Sequence, residues 1–237
     1  MESKSLNKYI AETGFCSRRQ ADVYIEEGRV TLNGEVARKG NRVIVGDIVL
    51  LDGEKIKPAI NKRVYLAFNK PVGITCTTDP EDPDNIIEFI NYPDRIFPIG
   101  RLDKMSEGLL LLTNDGDIVN KILRSRNNHE KEYLVEVNKI IVPEFVDKMS
   151  SGISILDTVT KPCFVEGLSE YTFRIILTQG LNRQIRRMCT ALGYHVRKLK
   201  RIRIMHIRLG DLPSKNWRYL TEEEMTQMNV MLEQSHK

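Results

Sequence analysis

The first sixty residues run through two periodicities. Leu6, Tyr9 and Ile10 recur at the spacing of one helical face, which predicts a short amphipathic helix that stops at Gly14. Ser17-Arg18-Arg19-Gln20 has the form of a capping box, so a second helix opens there, with Ala21 and Ile25 facing inward and Gly28 near its end. The pattern then shortens to period two. Val30-Thr31-Leu32 and Glu35-Val36-Ala37 flank Asn33-Gly34, a pair whose tolerance of positive φ suits a tight hairpin turn. A turn at Gly46-Asp47 precedes a strand over Ile48–Leu51, which Asp52-Gly53 closes. Helix, helix and short twisted strands predict a small α+β module over residues 1–58.

Lys57-Pro58-Ala59-Ile60-Asn61-Lys62 has no periodicity and holds a proline, so it reads as a linker. From residue 62 to 237 strand-like runs (Val64–Phe68, Leu109–Thr113, Tyr133–Val137, Thr172–Leu177, Ile202–Ile207) mix with helical ones (Ile86–Ile90, Ile118–Leu123, Glu144–Ser150, Arg183–Leu192). The order is irregular rather than alternating. That predicts a second α+β domain, a mostly antiparallel mixed sheet flanked by helices.

Composition narrows the class. The 237 residues are 41% hydrophobic and 29% charged, ordinary for a globular chain. No apolar run approaches the ~20 residues of a membrane helix, and Met1-Glu2-Ser3-Lys4-Ser5 has no apolar core for a secretion signal. Cys16, Cys76, Cys163 and Cys189 lie far apart, without the paired spacing of zinc or redox sites. A cytoplasmic monomer with no membrane partner is the expectation. The net charge of +4 hides an asymmetry: Tyr171 to Gly210 holds ten Lys or Arg and no Asp or Glu. A block of this kind is either a solvated face or, when folded with Tyr, His and apolar residues between the charges, a surface for a polyanion.

The chain has no phosphate-binding glycine loop, dinucleotide fingerprint or nucleophile elbow, and His129, His195, His206 and His236 show no metal-ligand spacing. Neither metal nor cofactor is expected, so chemistry falls to carboxylate, Tyr, Lys or Arg. Phe97–Gly116 is the most informative stretch: a polar loop with Asp103, between Gly100 and Gly108, leads into the apolar run Leu109–Leu112. An Asp in a loop is ordinarily a turn residue. Here Arg101 flanks it and a buried strand fixes its position. Arg18 and Arg19 open a helix, where the macrodipole disfavours cations. Either they pair with Asp22 or Glu26, or with the free helix N–H groups they hold a phosphate.

Two sets of motifs carry resemblances. Leu6–Ile10, Cys16–Asp22, Val30–Gly34 and Val45-Gly46-Asp47 together resemble the small RNA-binding module called the S-four domain, which implies RNA contact through Lys8, Arg18 and Arg19. Four further elements resemble, in order, the motifs of the bacterial RNA pseudouridine synthases of the RsuA/RluF branch, and most nearly its RluF-type members. They are Asn69-Lys70-Pro71-Val72-Gly73, Gly100-Arg101-Leu102-Asp103 with Gly108–Gly116, His129-Glu130-Lys131-Glu132-Tyr133, and Gly180–Met188.

The resemblance implies an isomerase that needs no cofactor, acting on a uridine in a stem-loop of 23S large-subunit rRNA. Asp103 is the implied essential carboxylate, Tyr133 the base-stacking tyrosine and Arg186 the partner that orients Asp103. Read without the family, Tyr133 alternates with Leu134 on a strand and suits a core position better. Ile185 is expected beneath the uracil, with Asn69, Lys70, Arg101, Lys131 and Gln184 also at the RNA. Arg183 and Arg187, at other angles of the Arg186 helix, are expected to bind phosphate, a track that Lys198, Lys200, Arg201 and Arg203 would extend. Two alternatives stand beside this reading: a non-catalytic RNA-binding assembly factor, and the same chemistry on small-subunit rRNA or a tRNA anticodon stem-loop.

Overall fold

In a computed structural model the chain is described over residues 3–56, 63–233 and 235. The linker expected at 57–62, and His236, lie outside the described residues. The chain forms two compact units, Met1–Arg63 and Val64–Lys237.

In the first unit β1 (Lys4–Ser5) leads into α1 (Leu6–Glu12), and α2 (Arg18–Glu26) follows. The capping box is formed on one side at least: the Ser17 hydroxyl accepts from the Gln20 N–H at 3.0 Å. β2 (Val30–Leu32) and β3 (Glu35–Val36) make the hairpin, with Asn33 at φ +53° and Gly34 at φ +89°, both in the left-handed region such a turn requires. β4 (Arg42–Val43), β5 (Val49–Leu51) and β6 (Glu54–Lys55) complete the unit. Leu6, Ile10, Ala21, Ile25, Val30, Val49 and Leu51 form its core.

The second unit starts with β7 (Tyr65–Lys70), α3 (Ile86–Ile90), β8 (Phe97–Ile99), β9 (Glu107–Thr113) and α4 (Gly116–Leu123). It continues through β10 (Lys131–Val137), α5 (Pro143–Ser151), the small hairpin β11 (Ser154–Ile155) and β12 (Thr158–Val159), then β13 (Phe164–Gly167) and β14 (Thr172–Leu177). Last come α6 (Gln184–Ala191), β15 (Val196–Ile204), β16 (Ile207–Arg208), β17 (Trp217–Tyr219) and α7 (Glu222–Glu233). The sheet runs β13-β14-β10-β15-β9-β7-β17, with β16 on β15 and β8 on β9.

Every pair in this sheet is antiparallel except β15 with β9. At that parallel join Gly108, at φ +103°, lies against the Arg201 backbone; a Cβ there would sit 2.3 Å from the Arg201 carbonyl oxygen. Only glycine fits so close an approach.

The apolar run Leu109–Leu112 is explained by burial on both faces. Leu110 and Leu112 join Leu66, Phe68, Val135 and Phe173 on one side, while Leu109 and Leu111 join Ala67, Ile118 and Met228 on the other. One expectation changes. The run Ile202–Ile207 is not one strand, because it turns at Met205 (φ +54°) and pairs Ile204 with Ile207. Apolar residues continue through that turn without Gly or Pro, so the pattern hides it. The acidic end of the chain is also a helix: Thr221 Oγ1 accepts from Glu224 N–H, and Glu224 accepts in return from Thr221 N–H, a reciprocal cap. Its Thr-x-x-Glu signature was present in the sequence.

Candidate active site

Asp103 sits in the loop between β8 and β9, and a buried lysine holds that loop. Lys70, at the end of β7, is fully buried. Its ammonium donates to the carbonyls of Pro71 (2.9 Å) and Ser106 (2.8 Å), with Asp103 and Lys104 at 3.3 and 3.4 Å. Ser106 N–H closes the turn on the Asp103 carbonyl at 2.9 Å, and Leu102 N–H donates to the Cys76 sulfur at 3.4 Å. Desolvation lowers the Lys70 pKa from its ordinary value. Lys70 therefore does not reach RNA as the sequence led us to expect. Nor does Asn69, which is buried and donates through its side chain to the Leu212 carbonyl at 2.8 Å. Both shape the scaffold, since β7 runs inside the sheet.

The Asp103 carboxylate faces α6. One oxygen lies 3.5 Å from Arg183 Nη1 and 3.6 Å from Arg186 Nε. These are charge contacts longer than hydrogen bonds. Arg186 spends its fork elsewhere: Nη2 donates to the Met105 carbonyl (2.9 Å) and the Ser106 hydroxyl (3.1 Å), and Nη1 reaches the Val196 carbonyl at 3.4 Å. It grips the loop that carries the carboxylate. Burial lowers the Arg186 pKa, and the nearby Asp103 charge opposes that. Arg183 was expected at phosphate; it reaches Asp103 because it caps α6 in a left-handed conformation (φ +49°) that turns it off the helix. Arg187, also expected at phosphate, is exposed, tied to Asn182 at 3.1 and 3.2 Å and absent from the cavity wall.

A cavity of about 570 Å³ opens over this carboxylate. Arg101, Asp103, Lys131, Tyr133, Ile185 and Arg201 line it, beside Arg183, Gln184 and Arg186. Tyr133 is 9% exposed, and the Arg201 guanidinium carbon stands 5.9 Å from its ring centroid. Ile185 is buried in the main core, and Gln184 accepts from the Leu181 N–H at 3.0 Å, which shapes the loop before α6.

The expected phosphate track along β15 divides. Lys198 pairs with Glu136 at 3.3 Å, and neither it nor Lys200 lines the cavity. Arg203 joins the opposite ladder, with Nε 2.6 Å from the buried Glu132. Arg201 points to the other side, buried, with Nε donating to the Leu109 carbonyl at 2.7 Å. Its signal was its place two residues after the buried Leu199, a parity the charge count obscured.

In the first unit Arg18 and Arg19 are exposed at the start of α2. The acids named as their alternative partners are engaged elsewhere. Asp22 accepts from Asn7 Nδ2 at 2.9 and 3.0 Å, and Glu26 pairs with Lys39. Arg18 donates to Asn7 Oδ1 at 3.4 Å, and Lys8 lies 3.4 Å from Glu12. Among the described residues no cluster of three His, Cys, Asp or Glu could hold a metal ion.

Comparison with known proteins shows the kinship of both units. The family model described as RNA pseudouridylate synthase matches residues 64–191, and the S4 domain model matches residues 5–49. The chain is 54% identical over 234 residues to the dual-specificity RNA pseudouridine synthase RluF of Escherichia coli (strain K12), spanning 98% of this chain and 81% of that protein. It is 36% identical over 235 residues to ribosomal large subunit pseudouridine synthase B of Bacillus subtilis (strain 168), spanning 95% and 96%. A solved structure described as a pseudouridylate synthase aligns with TM-score 0.71 at 31% identity, covering 94% of this chain and 99% of the other.

Proposed function

The chain belongs to the RNA pseudouridylate synthase family, and from that premise we propose that it isomerises a uridine of 23S rRNA with Asp103 as the essential carboxylate. That it is an RNA pseudouridine synthase, and so an RNA-binding isomerase, follows from the family and its relatives. The large-subunit target is supported by the relative named for that subunit. The name of the dual-specificity relative favours a second RNA substrate, for which small-subunit rRNA and a tRNA anticodon stem-loop are the two candidates. The protein acts in the cytoplasm as a monomer in this reading.

One observation carries the assignment of roles: a single carboxylate held by two arginines at the wall of a cavity that also contains a tyrosine ring. The reaction detaches uracil from the sugar at N1, turns it and rejoins it through carbon-5; carbon-5 gives up a proton and N1 gains one. An ionised carboxylate serves as nucleophile or stabilises the electron-poor sugar carbon. Arg183 and Arg186 place positive charge beside that carboxylate, 3.5 and 3.6 Å from one of its oxygens. The target base must leave its stack, at a cost of a few kcal/mol, and Tyr133 offers an aromatic face to receive it above Ile185. Residues 1–58 supply affinity for the RNA through Lys8, Arg18 and Arg19.

Tritium release from carbon-5-labelled uridine in 23S rRNA, 16S rRNA and tRNA transcripts tests both substrate and residue. Wild type is expected to release label from the 23S transcript. Asp103→Asn should lose about 10⁴-fold in rate while binding RNA within a few-fold. Near-wild-type turnover by that variant would remove Asp103 from the mechanism.

A further inference from the structure

The cavity holds more positive charge than Asp103 requires. Arg101, Lys104, Lys131, Arg183, Arg186 and Arg201 line it against that single carboxylate. Arg183 and Arg186 face Asp103, and Lys104 pairs outward with Asp84 at 2.6 Å. Lys131 and Arg201 have no such explanation. They are 7% and 3% exposed, and neither has a carboxylate partner among the described residues. Lys131 Nζ makes one contact, to the His129 carbonyl at 3.3 Å. Arg201 uses Nε on the Leu109 carbonyl and Nη1 on the Arg101 carbonyl at 3.5 Å, leaving Nη2 buried without a partner. The two flank Tyr133: Lys131 precedes it by two residues on the same face of β10, and Arg201 is its cross-strand neighbour on β15. Buried cations with open donors on a cavity wall call for a ligand that brings negative charge.

We propose that Lys131 and Arg201 form an anion-holding wall for the uracil ring, donating hydrogen bonds to its carbonyl oxygens as the reaction loads charge onto them. This rests on the pseudouridine synthase reading above. When the bond between the sugar carbon and N1 breaks, its electron pair stays with the base and spreads over N1, O2 and O4. If an Asp103 oxygen adds to carbon-6 of the ring instead, the ring π pair moves toward O4. Either way the carbonyl oxygens become anionic, and no proton need leave Lys131. Fixed donors in a water-poor site stabilise such charge because they pay no reorganisation when it forms. Burial and the facing Arg201 bring the Lys131 pKa down to about 8, so the ammonium persists at neutral pH; His129, whose own pKa is lowered by burial and by Lys131, stays neutral beside it.

The experiment compares the full chain and Lys131→Gln on an rRNA stem-loop carrying uridine or 5-fluorouridine at the target, by single-turnover consumption of that nucleotide and by RNA binding. Fluorine withdraws electrons and lessens the need for outside stabilisation. Lys131→Gln should slow the uridine reaction about a hundredfold, bind RNA within about threefold, and lose clearly less on fluorouridine. If that variant does not fold, the wild-type rate on uridine must instead fall as pH rises through about 8. Weaker binding with an unchanged rate would assign the pair to a backbone phosphate, and equal losses on both substrates would make it structural. Either result overturns the proposal with the wild type still active. An inactive wild type would overturn the family reading itself.

Discussion

Cations in the two units differ in what surrounds them. Arg18 and Arg19 of the first unit stand exposed at a helix start, and Lys8 shares an exposed carboxylate. In the second unit Lys70, Lys131 and Arg201 are buried among backbone carbonyls, and Arg186 is nearly so. An exposed cation attracts any polyanion and loses that attraction to salt. A buried cation is costly unless every donor is placed, so its neighbours are fixed with it. The first arrangement supplies affinity, and the second supplies geometry.

Lys70→Met should break the second arrangement most severely. It takes the ammonium from the carbonyls of Pro71 and Ser106, and from those of Asp103 and Lys104, which keep only Ser106 N–H and Gly73 N–H. Loss of such a clamp costs about 3 kcal/mol of stability. Thermal unfolding should show it, together with a rate loss that saturating RNA does not rescue. An unchanged melting temperature would mean that the loop holds itself.

Arg186→Lys should come next, with a rate loss of about a hundredfold at saturating enzyme, because one ammonium cannot grip Met105, Ser106 and Asp103 together. Arg183→Lys keeps an exposed charge near Asp103 and should stay within about tenfold. Equal, small losses at both positions would show that only charge matters there. Arg183 was expected to be a phosphate-binding control, and its contact with Asp103 makes Arg187 the better one.

The smallest effect belongs to the first unit. Arg18→Ala with Arg19→Ala should weaken RNA binding a few-fold and shallow its salt dependence by roughly 0.7–0.9 per lost phosphate contact. Filter binding across a salt series measures it, and an unchanged slope would make both arginines ordinary surface residues.

Much of this protein was legible residue by residue. The hairpin at Asn33-Gly34, the helix opening at Ser17 and the double-faced strand Leu109–Leu112 follow from local rules that tertiary context does not overrule. Asp103 stood out as a loop residue ahead of an apolar strand, and its role came from the resemblance alone. The helix at Glu222–Glu233 also has its cap written locally, in Thr221 and Glu224.

The sequence by itself determined most element types and the family's chemistry, with Asp103 as the carboxylate that the resemblance implies. Tertiary structure decided which cations face that carboxylate, which stand open on the cavity wall and which are spent on the fold. Arg201 and Arg203 show why. Two residues apart, they would share one face of a regular strand. A register shift in the pairing with β10 sets Arg203 opposite Glu132 but Arg201 opposite Tyr133, so one joins an ion-pair ladder and the other enters the cavity. A bulge of this kind arises from the competing demands of neighbouring strands, and the positions that set it are distant in the chain.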